Sequence, residues 1–315
     1  MDQKYKDLLE RAQLTFGTTP VPQAVGKTKA IIGVPAFPLK ETEAQAALDK
    51  LRIGQVPTPD ELAALELMIR IMRPAPLSKK GALEDLPAYD EHEPGLVDAW
   101  TTLQALIKPL LYSVGRLDLV GAGPQGVGFG TGFLVRSDLL VTNRHVLEAL
   151  SYGSLELKAG AVVVRFGQEV QTIDDPAHSV PILKAAFVHP TLDLALLRLA
   201  TMTDRPPLRL AAAGAAKGDR VVALGYPADD PARNPMFIKA VFGGDFSVKR
   251  AAPGVVVSTR APHLSHDCST LGGNSGSPVL SMATAEVVGV HSSGYFMYRN
   301  QAVLAAELAT FLQQV

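Results

Sequence analysis

Ser275 lies in the stretch Thr270-Leu271-Gly272-Gly273-Asn274-Ser275-Gly276-Ser277-Pro278, flanked by small residues and crowded by no charged side chain. Glycines on both sides let the backbone turn sharply and bring N–H groups close to a bound group. A serine hydroxyl is a weak nucleophile alone; it needs a base for its proton and donors for the oxyanion. Two upstream segments offer that help. In Leu139-Leu140-Val141-Thr142-Asn143-Arg144-His145-Val146-Leu147, a histidine follows a strand and begins a helical turn. In His189-Pro190-Thr191-Leu192-Asp193-Leu194-Ala195-Leu196-Leu197-Arg198-Leu199, an aspartate heads an apolar strand. A buried carboxylate there needs a partner, and an imidazole N–H suits it. His145 then serves as general base for Ser275, and Asp193 fixes its tautomer and orientation. Singly the signals are weak, since a lone histidine is commonly structural and an aspartate at a strand end commonly accepts from a turn. Their joint occurrence, each in its own context, carries the reading.

These residues must be positioned by strands. From Gly128 onward the chain is rich in short β-like runs separated by turns: Gly132–Val135, Leu139–Thr142, Ala161–Phe166, Ala195–Leu199, Arg220–Leu224, Gly254–Thr259, Val279–Ser281 and Val287–Val290. That pattern argues for an all-β barrel or sandwich rather than βαβ units. Ala302 to Leu312 reads as a closing helix. The first hundred residues read as helical and irregular, with helices expected over Asp2–Phe16, Glu41–Leu51 and from Thr58. Thr58 caps, Pro59 takes the first helical position and Glu61 completes a capping box, before Pro74 and Pro76 stop the helix. Leu77 to Pro94 is polar and proline-containing, which suits a linker, and a fourth helix is expected from Leu96 or Val97 to about Leu111. The division expected is a helical region at 1–95, with its linker at 77–95, followed by a second domain at 96–315. The helical region reads either as a scaffold or as a regulatory, partner-binding segment.

With 315 residues, 47% of them hydrophobic and 19% charged, the chain has ample material for a packed core. Lysine plus arginine total 30 against 31 acidic residues, so nothing favours nucleic acid or an anionic membrane as partner. Cys268 is the single cysteine, which excludes an intramolecular disulfide and fits a reducing compartment. The charged start of the chain leads into no apolar signal-like run, and Ala30 to Leu39 is broken by Pro35 and Pro38. A cytoplasmic protein is expected. Gly121-Ala122-Gly123-Pro124-Gln125-Gly126 matches a dinucleotide-binding fingerprint, but Pro124 interrupts it and a strand pattern, not a helix, follows. His263, His266 and Cys268 lack the paired spacing of a zinc site, and Cys268 reads better as a small buried residue. No cofactor and no metal are expected.

Gly-Thr-Gly-Phe at 130–133, the His145 and Asp193 segments, Gly-Gly-Asn-Ser-Gly-Ser-Pro at 272–278 and Gly-Val-His-Ser-Ser-Gly at 289–294 together resemble the chymotrypsin-fold serine peptidases. The resemblance is nearest to the bacterial glutamyl-endopeptidase (V8-like) branch, and it covers the chain from Gly128 onward. It implies a mainly β fold of two six-stranded antiparallel β-barrels, His145 and Asp193 on the first and Ser275 on the second. The small helical N-terminal region lies outside it. The implied reaction is peptide-bond hydrolysis through an acyl-enzyme on a protein or peptide substrate, with the N–H groups of Gly273 and Ser275 as oxyanion hole.

The resemblance also implies a substrate-binding wall at Ser292, Ser293 and Gly294, with Ser292 hydrogen-bonding the triad aspartate. Thr270 and His291 match positions that recognise a glutamate side chain, where a hydroxyl and an imidazole would both donate to a carboxylate. Two pocket readings stay open: an acidic P1 preference, or His291 as a core histidine beside a pocket for other side chains. Asn274 stands where the animal digestive branch carries an aspartate that pairs with a new N-terminus. Activation by that ion pair is not expected, which leaves control to the N-terminal region or a partner. The competing function is a protease-fold interaction module whose triad is unused.

Overall fold

The computed structural model describes residues 2–29, 40–87, 93–121, 128–170, 172, 176–230, 238, 241–295 and 299–314. Four helices come first: α1 (Gln3–Phe16), α2 (Val21–Lys29), α3 (Glu41–Arg52) and α4 (Pro59–Ile71). The capping box at α4 forms as the sequence requires, Glu61 N donating to Thr58 Oγ1 (3.3 Å) and Thr58 N to Glu61 Oε2 (2.7 Å). Arg70, Arg73 and Glu66 are buried rather than solvated.

The stretch read as a linker begins with a small hairpin, β1 (Ser78–Lys79) and β2 (Ala82–Leu83). It is pinned to the protein body, because Ser78 N donates to Lys249 O (2.9 Å) and Ala251 N to Pro76 O (3.0 Å). Helix α5 (Leu96–Ile107) follows, and Pro109 falls in a 3-10 turn over Lys108–Ser113 that ends it. The glycine-rich fingerprint at 121–126 lies almost wholly outside the described residues, but the run before it is a barrel strand.

Fourteen strands are described, and twelve of them close two barrels. The first has the order β3 (Val114–Leu119), β4 (Gly130–Arg136), β5 (Leu139–Thr142), β8 (Ala195–Leu199), β7 (Ser179–Val188) and β6 (Val162–Arg165). Helix α6 (Arg144–Leu150) leaves the end of β5. The second barrel has the order β10 (Arg250–Arg260), β11 (His263–His266), β14 (Arg299–Leu304), β13 (Val287–Tyr295), β12 (Pro278–Ser281) and β9 (Arg220–Gly225). All pairings between the barrel strands are antiparallel, as the two-barrel expectation requires. The closing helix α7 is shorter than expected, Ala305–Leu312, because Ala302 to Leu304 still belong to β14.

Strand period 2 sorts the core. On β9, Val222 and Leu224 join a cluster with Phe133, Val141 and Leu196 of the first barrel and Trp100 of α5. The alternate residues Val221 and Ala223 join a different cluster, shared with Leu48, Leu65 and Met68 of the N-terminal helices. A third cluster joins Leu134, Leu140, Val164 and Leu197 of the first barrel's strands to Val146, Leu147 and Leu150 of α6. Among the described residues, no helix is long and apolar enough to cross a membrane.

Candidate active site

Strand β5 ends at Thr142, and Asn143 takes an extended conformation before α6, so His145 stands on the first turn of that helix. Asp193 lies in the turn between β7 and β8, which His189 holds by accepting from Thr191 N (3.2 Å) and Leu192 N (2.9 Å) at Nδ1. The two residues meet twice. His145 Nδ1 is 2.7 Å from Asp193 Oδ2, and His145 N donates to Asp193 Oδ1 (3.0 Å). Asn143 Nδ2 donates to Asp193 O (2.9 Å), tying the turn to the helix start. Contrary to the sequence reading, the carboxylate is not buried: the side chains of His145 and Asp193 are 46% and 31% exposed. The turn sits at the strand ends rather than inside the barrel, so the bidentate contact, and not desolvation, fixes the pair.

The Ser275 loop is stitched to the first barrel by one residue. Thr131 on β4 donates from N to Ser275 O (2.8 Å) and from Oγ1 to Gly273 O (2.8 Å), while its own carbonyl accepts from Thr142 Oγ1 (2.7 Å). Ser275 and His145 are thereby referred to the same pair of strands. On the other side, Gly276 N donates to His291 O (2.9 Å) and His291 N to Ser277 O (2.9 Å). Gly273 and Gly276 have φ of 84° and 85°, and a side chain on either would run into the carbonyl of Tyr226 or of Thr131. Only glycine permits this loop. The N–H groups of Gly273 and Ser275 donate to no described residue, and no hydrogen bond joins the Ser275 hydroxyl to His145.

The residues assigned to substrate binding gather around the same loop, with different partners from those expected. Thr270 Oγ1 donates to Asn300 Oδ1 (3.0 Å), and Asn300 Nδ2 donates to Cys268 O. The hydroxyl expected to donate to a substrate carboxylate is therefore turned to Asn300, a residue the sequence did not single out. Gly294 lies against this pair, since a side chain there would run into Asn300 Oδ1. Ser292 Oγ donates to Gln301 O (3.2 Å) on the neighbouring strand β14 rather than to Asp193. Ser293 and Gly294 are exposed, paired on one side with Gln301 and Asn300 and with no described strand on the other. His291 is 3% exposed, and its Nδ1 is 3.2 Å from His266 Nε2. Among the described residues, no group of three or more His, Cys, Asp or Glu side chains is set to hold a metal ion.

With this geometry in place, comparison with known proteins is decisive at the level of family. The model of the trypsin-like peptidase domain matches residues 130–290, about half of the chain, from the start of β4 into β13. The chain belongs to the trypsin-like peptidase domain family. Among curated proteins it is similar to glutamyl endopeptidases of Staphylococcus aureus, 26% identical over 201 residues for strain MRSA252, covering 61% of this chain and 50% of that protein. The match to the glutamyl endopeptidase of strain MW2 is also 26% identical and covers 55% of that relative. The chain thus spans about half the length of the curated relatives it matches. Solved structures similar to it include the active form of the Rv3671c protease from M. tuberculosis, with TM-score 0.47 and 22% identity, covering 70% of this chain and 86% of that one. The serine endoprotease from Yersinia pestis gives TM-score 0.49 and 15% identity, covering 68% and 65%.

The peptidase domain is joined to the N-terminal helices through the strand of residues that leads to Thr270. Asp267 Oδ2 accepts from Arg11 Nε (2.7 Å) and Arg73 Nη1 (2.6 Å), and Oδ1 from Val255 N (2.7 Å). Burial alone would raise this carboxyl, but Arg73 and Arg11 outweigh it and hold it well below the usual carboxylate range. Arg11 also grips Glu66 with two bonds (2.6 and 2.8 Å), and Arg73 reaches Glu93 (2.6 Å), which in turn pairs with Arg220 of β9. Cys268, beside Asp267, is sealed, and burial pushes its thiol up. It is not a reactive cysteine.

Proposed function

We propose that this protein is a serine endopeptidase in which Ser275 attacks the scissile carbonyl and His145 accepts and later returns its proton. Asp193 holds the imidazole in the Nδ1–H tautomer and stabilises its cationic form, the role for which the 2.7 Å contact and the second bond to His145 N suit it. The Gly273 and Ser275 N–H groups, unspent on described residues, would receive the oxyanion; one such donor contributes about 3–4 kcal/mol in comparable sites. The single observation that supports this most is the Thr131 stitch, which ties the backbone of a glycine-flanked serine to β4, the strand beside the one that leads into the helix of a carboxylate-oriented histidine. The open edge of residues 292–294 suits an extended peptide added as a strand.

For the P1 side chain we read the pocket as one for an acidic residue, supported by His291 beside the nucleophile loop and by the likeness to glutamyl endopeptidases. Residues 1–95 are read as scaffold rather than as an inhibitory segment, since their apolar residues share a core with β9–β14. The sealed single thiol fits action inside the cell. One observation favours the second reading, a binding module with an idle triad: the Ser275 hydroxyl makes no hydrogen bond to His145. A fluorophosphonate probe separates the two. Labelling that disappears in Ser275→Ala supports the peptidase, and absence of labelling in the full chain supports the module.

A further inference from the structure

The acidic-P1 reading leaves a chemical question open. A neutral imidazole has one N–H, and His291 helps a carboxylate only if that hydrogen sits on the nitrogen facing the pocket. If it sits on the other, His291 presents a lone pair and repels the substrate.

The surroundings of His266 settle which nitrogen carries it. His266 ends β11 and is fully buried; its Nε2 lies 3.2 Å from His291 Nδ1, with the rings crossed at 70° and 5.3 Å apart. That is an edge-on hydrogen bond rather than a stack. One of the two nitrogens donates and the other accepts. His266 Nδ1, at the other end of the ring, has no partner among the described residues. Were His291 the donor, His266 would have to carry its own hydrogen on Nδ1, an N–H buried with nothing to accept it. Orphaned buried donors are rarer and costlier than unused acceptors. His266 therefore carries its hydrogen on Nε2 and donates to His291 Nδ1. His291 then has its hydrogen on Nε2, which bonds to no described residue and is not among the fully sealed atoms.

We propose that His266 is a positioning residue for substrate selection: by donating to His291 Nδ1 it fixes His291 as an Nε2–H donor toward an acidic P1 side chain. The inference rests on the acidic-P1 reading and extends it. Burial keeps both rings neutral, as the relay requires. Desolvation pushes His266 down to about 4, with Asp267 opposing and Arg70 adding to the shift. Desolvation, then His266 and His145, hold His291 well below the ordinary histidine range. Thr270, whose hydrogen is committed to Asn300, does not compete with this N–H for the substrate carboxylate.

Two measurements on the full chain test this. The first is long-range ¹H–¹⁵N correlation on histidine-labelled protein at pH 7.5, with peaks assigned by His266→Gln and His291→Gln. Both rings are expected as Nε2–H tautomers, and an Nδ1–H signal for His291 overturns the proposal. The second is the ratio of kcat/KM for matched peptides with P1 glutamate and P1 glutamine. His266→Gln, whose carboxamide N–H can reach the same acceptor, should keep the ratio near that of the wild type. His266→Leu should lower it by about tenfold, the worth of one hydrogen bond, mainly through KM for the glutamate peptide. An equal fall for both peptides in His266→Leu marks a merely structural role and overturns the proposal. A wild-type enzyme with Nε2–H tautomers but no glutamate preference upholds the relay and removes the acidic-P1 reading.

Discussion

At the scale of single residues, the site depends on a few directed contacts. Asp193→Asn leaves the shape of the pair but offers an amide where the imidazole N–H needs an acceptor. Turnover of a peptide substrate should fall by about 10³–10⁴ in kcat with KM little changed; an unchanged kcat would remove Asp193 from the mechanism. Thr131→Val keeps the volume but deletes the donor to Gly273 O, and should cost about 1 kcal/mol of stability while lowering kcat more than it changes KM. His266 makes stability sensitive to acid. It stays neutral in the fold down to about 4, whereas an unfolded histidine titrates near 6.5. Between those values the unfolded chain holds more protons, so stability falls as the pH drops through that window. Denaturant midpoints at pH 6.5 and 4.5 should differ, and His266→Gln should shrink the difference.

At the scale of elements, Lys249 shows how the halves are locked. Fully buried just before β10, it donates to Leu111 O (2.6 Å) and to Phe166 O just after β6 (2.7 Å), with Glu169 at 3.9 Å. Lys249→Met should cost about 2–4 kcal/mol in urea unfolding, because two carbonyls lose their donor and the Glu169 carboxylate loses a nearby counter-charge. Desolvation pushes this ammonium down to about 7, so stability should rise with pH from about 7 towards the ordinary lysine value near 10.4, and the variant should lack that slope. The same scale explains what the sequence made legible. Leu139–Thr142 and Ala195–Leu199 are read to the residue because continuous apolar runs bury both faces. Strand β7 is not, since Pro181, Lys184 and the exposed Leu183 and Phe187 break its alternation. The polar runs His-Leu-Ser-His of β11 and Arg-Asn-Gln of β14 become strands through long-range pairing, β11 between β10 and β14 and β14 between β11 and β13. Ser275, His145 and Asp193 are legible from motif, each in its own segment. Thr131, Asn300 and His266 are not, because their partners lie 142, 30 and 25 residues away.

At the scale of the whole molecule, the buried cluster of Arg11, Arg70, Arg73, Glu66, Glu93 and Asp267 joins helices to barrel beneath the residues that lead to the pocket. Asp267→Asn leaves two buried guanidinium groups short of a counter-charge and should cost about 3–5 kcal/mol, read as a lowered denaturant midpoint. Its contribution is present above the ordinary aspartate range and fades as the pH falls below it, because Arg73 and Arg11 depress the folded-state value. Deleting residues 1–95 should therefore unfold the second barrel rather than release activity, and an active, folded truncation would contradict this reading.

The core shared by α1–α4 and β9–β14 also sets the order in which the chain can finish folding during its synthesis. The apolar faces of Leu48, Leu65 and Met68 emerge from the ribosome long before Val221, Val279 and Ala302, against which they close. At roughly 5–20 residues per second, the roughly 150 to 250 intervening residues mean a wait on the order of tens of seconds. For that interval the nascent helices carry uncovered hydrophobic surface, so production of this protein should depend on chaperone capacity more strongly than its finished fold suggests.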